Sequence, residues 1–514
     1  MDKKFKIVKN VGIVGFGTSF SRILGYLRDM AIASKFGAGL IADAFFIAFM
    51  IPNLFRQLFG EGALSAAFIP VFSDYLTNKS KESAWQLTSI IINLLLLLTT
   101  LIAFLGILFS PYIISIIAPG FSKNVDLTIL LTRIMFPFVI FICMAALFMG
   151  ALNAWQHFSI PALAPAFLNI TMIVSIYFLS PCFEKPILGL ALGVLIGGLF
   201  QMGVQIIPLI KKGFTYQFIL RLNHPGVKRI YNLMIPAVAG LAITQVNLVI
   251  SRILASFLDS GSISALYYAN RLIWLPISLF GISVGTVSFA MMSDQVAKND
   301  LSSLKETLLL SLRMIVITTV PAAIGLIVLG KPIIALLFQR GEFTATDTLA
   351  TNIALFYYSL GIFAFASLKV IISTFYAFKD TKTPFKIGIV VVISNFILSL
   401  LLMPYLKHGG LALATTLSAF INLIVLVVIL RRMIGHLNGS YLSILFIKTL
   451  GASLIMGIVC WKVMSFMRGM LLLQIVLAIL IGLIVLFICY KLFKVKEIDS
   501  LLKKIVSRSK KIEN

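Results

Sequence analysis

Acidic side chains are scarce in this chain: 18 Asp and Glu stand against 43 Lys and Arg over 514 residues. That shortage argues against a carrier of organic cations, which wants carboxylates inside the membrane. It argues equally against a magnesium-dependent enzyme acting on polyprenyl phosphates, which needs clustered aspartates. Enzymatic activity is not expected. Charge of either sign is sparse, at 12% of residues, too little to clothe a soluble protein of this size. The four cysteines, Cys143, Cys182, Cys460 and Cys489, are scattered without the spacing of a disulfide framework or a metal site. The four histidines, His157, His224, His408 and His436, fall in or near loops, so no metal and no cofactor is expected. A Gly-x-x-x-x-Gly-Lys-Ser/Thr loop is missing, which removes ATP as a direct energy source. Two-residue alternation is missing from the long apolar runs, and a transmembrane β-barrel goes with it.

What remains is apolar. Hydrophobic residues make up 60% of the chain and mean hydropathy is +1.05, the composition of an all-α, polytopic membrane protein. The length accommodates about fourteen transmembrane helices of roughly 20 residues each. Segments such as 40–73, 124–155, 384–404 and 410–430 read as spans. With the N-terminus taken as cytoplasmic, 26 of the 43 basic residues fall on inside loops and tails, 8 outside and nine within spans. This positive-inside bias puts both termini in the cytoplasm. It also explains the net charge of +25 without nucleic acid, which is not an expected partner. The first apolar segment runs into charged residues rather than a small-residue cleavage site, so no cleavable signal peptide is expected.

The nine intramembrane cations are Arg22, Arg28, Arg56, Arg133, Arg252, Arg271, Arg313, Lys369 and Lys448. Only Asp29, Asp43 and Glu61 lie at comparable depth. A charge at the bilayer centre costs roughly 2.5–3.5 kcal/mol on insertion scales, so such residues face a cavity or a partner. Three acids cannot neutralise nine cations. The balance predicts a water-filled, net cationic cavity built for an anion. If the first helix starts near Val8, Arg22 sits about 21 Å along it, too deep to snorkel comfortably. Arg28 and Asp29 lie nearer its outer end, where they are either cavity residues or an interfacial ion pair. Arg133, Arg252 and Arg313 are open between cavity and structural roles, and Lys369 and Lys448 read as solitary snorkelling lysines.

The two halves of the chain repeat. Ser-Arg-Ile-Leu occurs at Ser21–Leu24 and at Ser251–Leu254; Leu-Phe-Gly occurs at Leu58–Gly60 and at Leu279–Gly281. Each Leu-Phe-Gly is followed by Ser-Asp, after 12 and 11 residues. Three matches in one order predict two six-helix lobes in parallel repeat, 1–212 and 224–432. Two appended helices follow over 440–490, then a basic cytoplasmic tail over 491–514. Six is even, so both lobes enter with one polarity and the site falls between them. Pro52, Gly60 and Gly62 interrupt the second helix of the first lobe, and Pro276 and Gly281 interrupt its counterpart. These are either a gate whose curvature changes or static kinks.

Phe20-Ser-Arg-Ile-Leu-Gly-Tyr-Leu-Arg-Asp29, Ala42-Asp-Ala-Phe-Phe46, Pro52-Asn-Leu-Phe-Arg56 and Phe59-Gly-Glu-Gly-Ala63 resemble the MurJ (MviN) family of lipid II flippases, of the multidrug/oligosaccharidyl-lipid/polysaccharide exporter superfamily. The resemblance covers essentially the whole chain. It implies fourteen helices in two lobes around a cationic cavity in the bacterial inner membrane, with a groove for the lipid tail beside the last two helices. It implies transfer of the undecaprenyl-diphosphate-linked peptidoglycan precursor to the outer leaflet by alternating access. The partners it implies are lipid II, membrane lipids, and the peptidoglycan synthesis or division machinery. Another polyprenyl-diphosphate-linked oligosaccharide is the alternative cargo. By the same resemblance Ser21, Arg22, Arg28, Asp43, Arg56 and Arg271 are functional residues, with Arg22, Arg28 and Arg271 engaging the diphosphate. Asp29, Arg252 and Glu61 complete the candidate set. The chain departs from some members at Gln57, where they carry a second basic residue, and at Trp274, where they carry an acid. One branch has a sodium site with an Asp in helix seven; the corresponding segment here, 229–257, has no acid.

Overall fold

The computed structural model describes residues 3–58, 64–121, 124–437, 439–467 and 469–497. Every regular element among them is helical, as a bilayer requires of a chain that must satisfy its backbone internally. Among the described residues eleven helices are long and apolar enough to cross a membrane, or twelve when one bent pair counts as a span. The chain is therefore a multi-pass membrane protein.

The chain divides into two compact units, the first comprising Met1–Ser264 with Arg340–Phe343, the second Ala265–Gln339 with Thr344–Asn514. In the first, α1 (Lys3–Phe36) carries Arg22, Arg28 and Asp29 and is not among the eleven. It packs on α8 (Ser159–Val174), which in turn packs on α9 (Ile187–Lys211). The stretch 40–73, expected as one span, is two helices, α2 (Leu40–Phe55) and α3 (Leu64–Asn78). Residues 59–63, and with them Gly60, Glu61 and Gly62, lie outside the described residues. Then come α4 (Lys81–Leu108), α5 (Ser110–Ile117) and α6 (Val125–Met135), which gives way at Pro137 to α7 (Phe138–Ala154). Pro137 lacks a backbone N–H and interrupts the helix there, but the 124–155 stretch remains a single candidate span, Val125–Ala154. Finally α10 (Pro225–Ser256) clusters with this first unit.

The second unit holds most of α11 (Ser262–Pro276), a wide π-helical turn over Ile277–Ile282, and α12 (Ser283–Ala297). It continues through α13 (Leu301–Phe338), α14 (Ala345–Ser359) and α15 (Ile362–Ala377), the last two forming the pair bent by 45°. The 53-residue α16 (Lys382–Ile434) would be about 80 Å long, over twice the hydrocarbon thickness, if straight. Its backbone breaks at Lys407 (φ 50, ψ −131), between the 384–404 and 410–430 segments the apolar pattern separates. α17 (Ser440–Phe466) and α18 (Leu471–Leu492) close the unit. Behind α18 the chain docks back: Glu497, nearly buried, accepts from the Tyr441 hydroxyl at 3.0 Å and lies 3.7 Å from Arg313.

Candidate functional site

In the first unit the predicted site residues fall into two polar knots. One is built on α1. Arg28 donates through Nε and Nη2 to Asp29 Oδ1 at 3.0 and 2.6 Å, so the adjacent pair is an ion pair, with Asp29 fully buried. Arg28 Nη1 donates to Asn169 Oδ1 of α8 at 3.0 Å, and Asn169 Nδ2 donates to the Ser21 carbonyl at 3.1 Å. Asn169 thus ties the guanidinium to the backbone of the Ser21–Arg22 turn. Its amide is neutral, so it positions Arg28 by a dipole while Asp29 supplies the counter-charge. Arg22, on the same helix, is exposed.

The second knot joins α2, α10 and the turn that opens α11. Asp43, 1% exposed, accepts from the Gly261 and Ser264 amides at 2.6 and 2.8 Å and from the Ser264 hydroxyl. A carboxylate taking the first amides of a helix is in its most favourable position, where orphan donors and the helix dipole coincide. Arg252 donates from α10 to the Ile263 carbonyl of the same turn at 2.9 Å. Gly261 must be glycine: its φ is +91, and a Cβ would fall 2.3 Å from the Ala38 carbonyl oxygen. Asp43 therefore sits with Arg252 at this turn.

Arg56 lies at the end of α2, where residues 56–58 widen into a π-type turn, and donates to Asn53 Oδ1 at 2.8 Å. Gln57 accepts from Gln245 Nε2 of α10 at 2.8 Å. Pro52 is buried within α2. In the second unit Arg271 is half-buried on α11. One turn later Trp274 lies 5.6 Å from the Lys369 ammonium of α15, a cation–π arrangement. Pro276 leads into the π-helical turn, and a Cβ on Gly281 would stand 2.8 Å from Ala366 Cα. Gly281 thus lets the turn approach α15 closely. No cluster of three or more metal-ligating side chains occurs among the described residues.

A family model described as "Lipid II flippase MurJ" matches residues 32–482. A protein from Vibrio cholerae named probable lipid II flippase MurJ is 37% identical over 446 residues, covering 85% of this chain and 84% of its own. The chain belongs to the MurJ family. A solved structure of a lipid II flippase MurJ in an inward-closed conformation superposes with TM-score 0.81 at 32% identity, over 94% of this chain and 99% of that one. An inward-facing multidrug resistance MATE transporter of the MOP superfamily reaches 0.70 at 16% identity, covering 82% and 96%, and shares the fold.

Within this family member, the two departures noted in the sequence have local physical accounts. Gln57 pairs with another amide instead of adding a charge, and Trp274 offers a ring face to Lys369 where an acid would offer a carboxylate. Sequence reasoning missed Asn169 and Gln245, because it searched the spans for charges and passed over amides. A buried amide in an apolar helix is costly unless bonded, so Asn169 in a run such as PALAPAFLNITMIV is itself a signal.

Proposed function

We propose that this chain is a flippase that carries lipid II from the cytoplasmic to the outer leaflet by alternating access. Its arginines bind the diphosphate and the polyprenyl tail stays in the bilayer. The observation that carries the reading is the match to the lipid II flippase family over residues 32–482; the Arg28–Asp29 pair, tied to α8 by Asn169, holds a positioned guanidinium on α1. Arg22 and Arg56 supply further donors from the first unit, and Arg271 from the second. A guanidinium fork matches phosphate oxygens in a bidentate manner. Asp43 and Arg252 act as positioning residues through the Gly261–Ser264 turn, and Pro52, Pro276 and Gly281 shape the helices on which Arg56 and Arg271 sit. No catalytic step is involved.

Both termini are cytoplasmic in this reading. The parallel lobes are 1–212 and 224–432, and 440–490 borders the groove for the tail. Counting α1 and each half of α16 as spans beside the others gives fourteen. Components of the peptidoglycan synthesis machinery are the expected recipients of the product.

The test is complementation of a bacterium depleted of its own lipid II flippase, scored by lipid II accessible at the outer face. Wild type and Lys298→Ala, an exposed loop-side control, rescue; well-expressed Arg22→Ala and Arg271→Ala do not. Failure of well-expressed wild type would move the assignment to another polyprenyl-diphosphate-linked oligosaccharide. Rescue by every variant would refute the arginine site.

A further inference from the structure

Charge alone makes the connection between α9 and α10 a solvated basic loop, with Lys211, Lys212, Arg221, Lys228 and Arg229 in or beside it. Its contacts lie elsewhere. The chain enters at a stacked aromatic pair, Trp85 and Trp155, with Phe214 against Trp85 and the Lys212 ammonium 5.5 Å from the Trp155 ring. Paired tryptophans with lysines are the usual furniture of a membrane–water interface. From there the segment runs along α4. The Gln217 amide donates to Ser89 Oγ at 3.2 Å, and Asn93 Nδ2 donates to the carbonyls of Gln217 and Ile219 at 3.0 and 3.1 Å. The Tyr216 hydroxyl donates to Asn93 Oδ1. Asn93 is eight residues past Trp85 on α4, so the backbone has descended about 12 Å from the tryptophan level. It then climbs back: Gly226 packs on Leu87, and the His224 ring lies 5.9 Å from Tyr75.

Non-helical backbone is tolerated at membrane depth only where its polar groups are satisfied by protein. Asn93, 4% exposed in an otherwise apolar stretch of α4, supplies that here. On the strap Phe218, Leu220 and Leu222 are 76%, 51% and 72% exposed, and Leu97 and Leu101, further along α4 than Asn93, are exposed as well. Leaving a Phe or Leu in water forgoes roughly 1.5–3 kcal/mol relative to burying it. Three such residues alternating in a basic segment fit acyl chains bordered by anionic headgroups.

We propose that residues 213–224 form a re-entrant strap in the leaflet on the side of the basic loops. Phe218, Leu220 and Leu222 lie among the acyl chains, and Lys211, Lys212 and Arg221 lie on anionic lipid headgroups. Naming that leaflet cytoplasmic rests on the topology proposed above; the strap itself does not depend on the cargo. The test uses the full chain with Cys182→Ser, which removes the exposed native thiol, and nitroxide labels at Phe218→Cys, Leu220→Cys and, as aqueous reference, Asn299→Cys. Vesicles are phosphatidylcholine alone or mixed with phosphatidylglycerol in equal parts. The expected result is collisional access to oxygen several-fold above access to a water-soluble nickel chelate at 218 and 220, and the reverse at 299. Phosphatidylglycerol deepens both strap labels. Adding Asn93→Leu, which removes the tether but not the hydrophobicity of α4, returns the 218 label toward aqueous values. Nickel access at 218 equal to that at 299 overturns the strap, and so does exclusion of both reagents, which means protein covers the face. Depth unaffected by phosphatidylglycerol overturns the headgroup contact.

Discussion

Replacing Asn169 with alanine should impair transport more than any neutral change elsewhere on α8. The side chain makes one hydrogen bond to a charged donor, Arg28 Nη1 at 3.0 Å, and one to a backbone acceptor, the Ser21 carbonyl at 3.1 Å. A bond to a charged group contributes about 1.5–3 kcal/mol and a neutral one about 0.5–1.5. Losing both therefore costs about 2–4 kcal/mol where the groups stay dry, and toward the low end where water enters the space left behind. Arg28 keeps its pairing with Asp29, so the helix persists, but the guanidinium is free to swing away from the Ser21–Arg22 turn. At about 1.4 kcal/mol per factor of ten, a displacement that loses half of this energy weakens binding roughly tenfold.

The assay is lipid II binding and outer-face appearance with purified protein in vesicles, alongside thermal unfolding of the same preparations. Asn169→Ala should lose roughly tenfold or more in affinity with only a modest fall in unfolding temperature. Asn169→Asp separates charge from position: it holds Arg28 more firmly, so stability is kept or raised, yet a second carboxylate beside the Arg28–Asp29 pair repels an anionic headgroup and binding falls as well. Native affinity in Asn169→Asp would refute the argument that a neutral acceptor is needed. Native affinity in Asn169→Ala would refute the linkage itself.

Three further outcomes are expected. Asp43→Ala strands the Gly261 and Ser264 amides at a buried helix start, which should cost about 2–5 kcal/mol in denaturant unfolding, with Asp43→Asn intermediate because one acceptor remains. Gly281→Val drives a side chain into Ala366 backbone and should cost about 1–3 kcal/mol and lower transport, whereas Gly240→Val, which meets no neighbour, should not. His224 Nδ1 accepts from the Gly226 amide, which requires the neutral ring; partial burial first, then Lys79 and Arg221, hold its pKa below the usual histidine range. The folded value is depressed, so this cap is fully in place above about pH 6.5 and is lost as pH falls through the lower folded value. Proton resonances of His224 should titrate below those of a model peptide, and the 218 label should gain aqueous access over the same acid range.

Much of the fold was legible because long apolar helices leave a one-dimensional trace. The break at Lys407 falls between two apolar runs flanked by Pro404 and Gly409, and the Arg28–Asp29 pair is written in adjacent letters. Other features are long-range and leave no such mark. The partners of Asp43 are backbone groups 218 and 221 residues away, so nothing in its own segment distinguishes a helix cap from a ligand. The Arg28–Asn169 bond spans 141 residues. The strap had a readable signal, the alternation of Tyr216, Phe218, Leu220 and Leu222, but the surrounding lysines and arginines gave the segment the look of an ordinary inside loop.

Nine intramembrane cations stand against three acids, yet a carboxylate is not the only group that settles a buried positive charge. The side chains use other means. Arg56 is held by Asn53, Arg133 by the Ser110 hydroxyl, Arg252 by the Ile263 carbonyl, Lys448 by the Phe493 carbonyl, and Lys369 lies over Trp274. Each of these contacts is a dipole or a quadrupole: it satisfies donors and fixes a rotamer, and itself brings no opposing charge. A carboxylate at the same position would stabilise the protein comparably and abolish the field that an anion feels. On the proposed function, the scarcity of acids is what an anion-binding site would require. Asn53→Asp should fold at least as well as wild type and transport worse, and an Asn53→Asp protein with undiminished lipid II transport would mean that the Arg56 charge is structural.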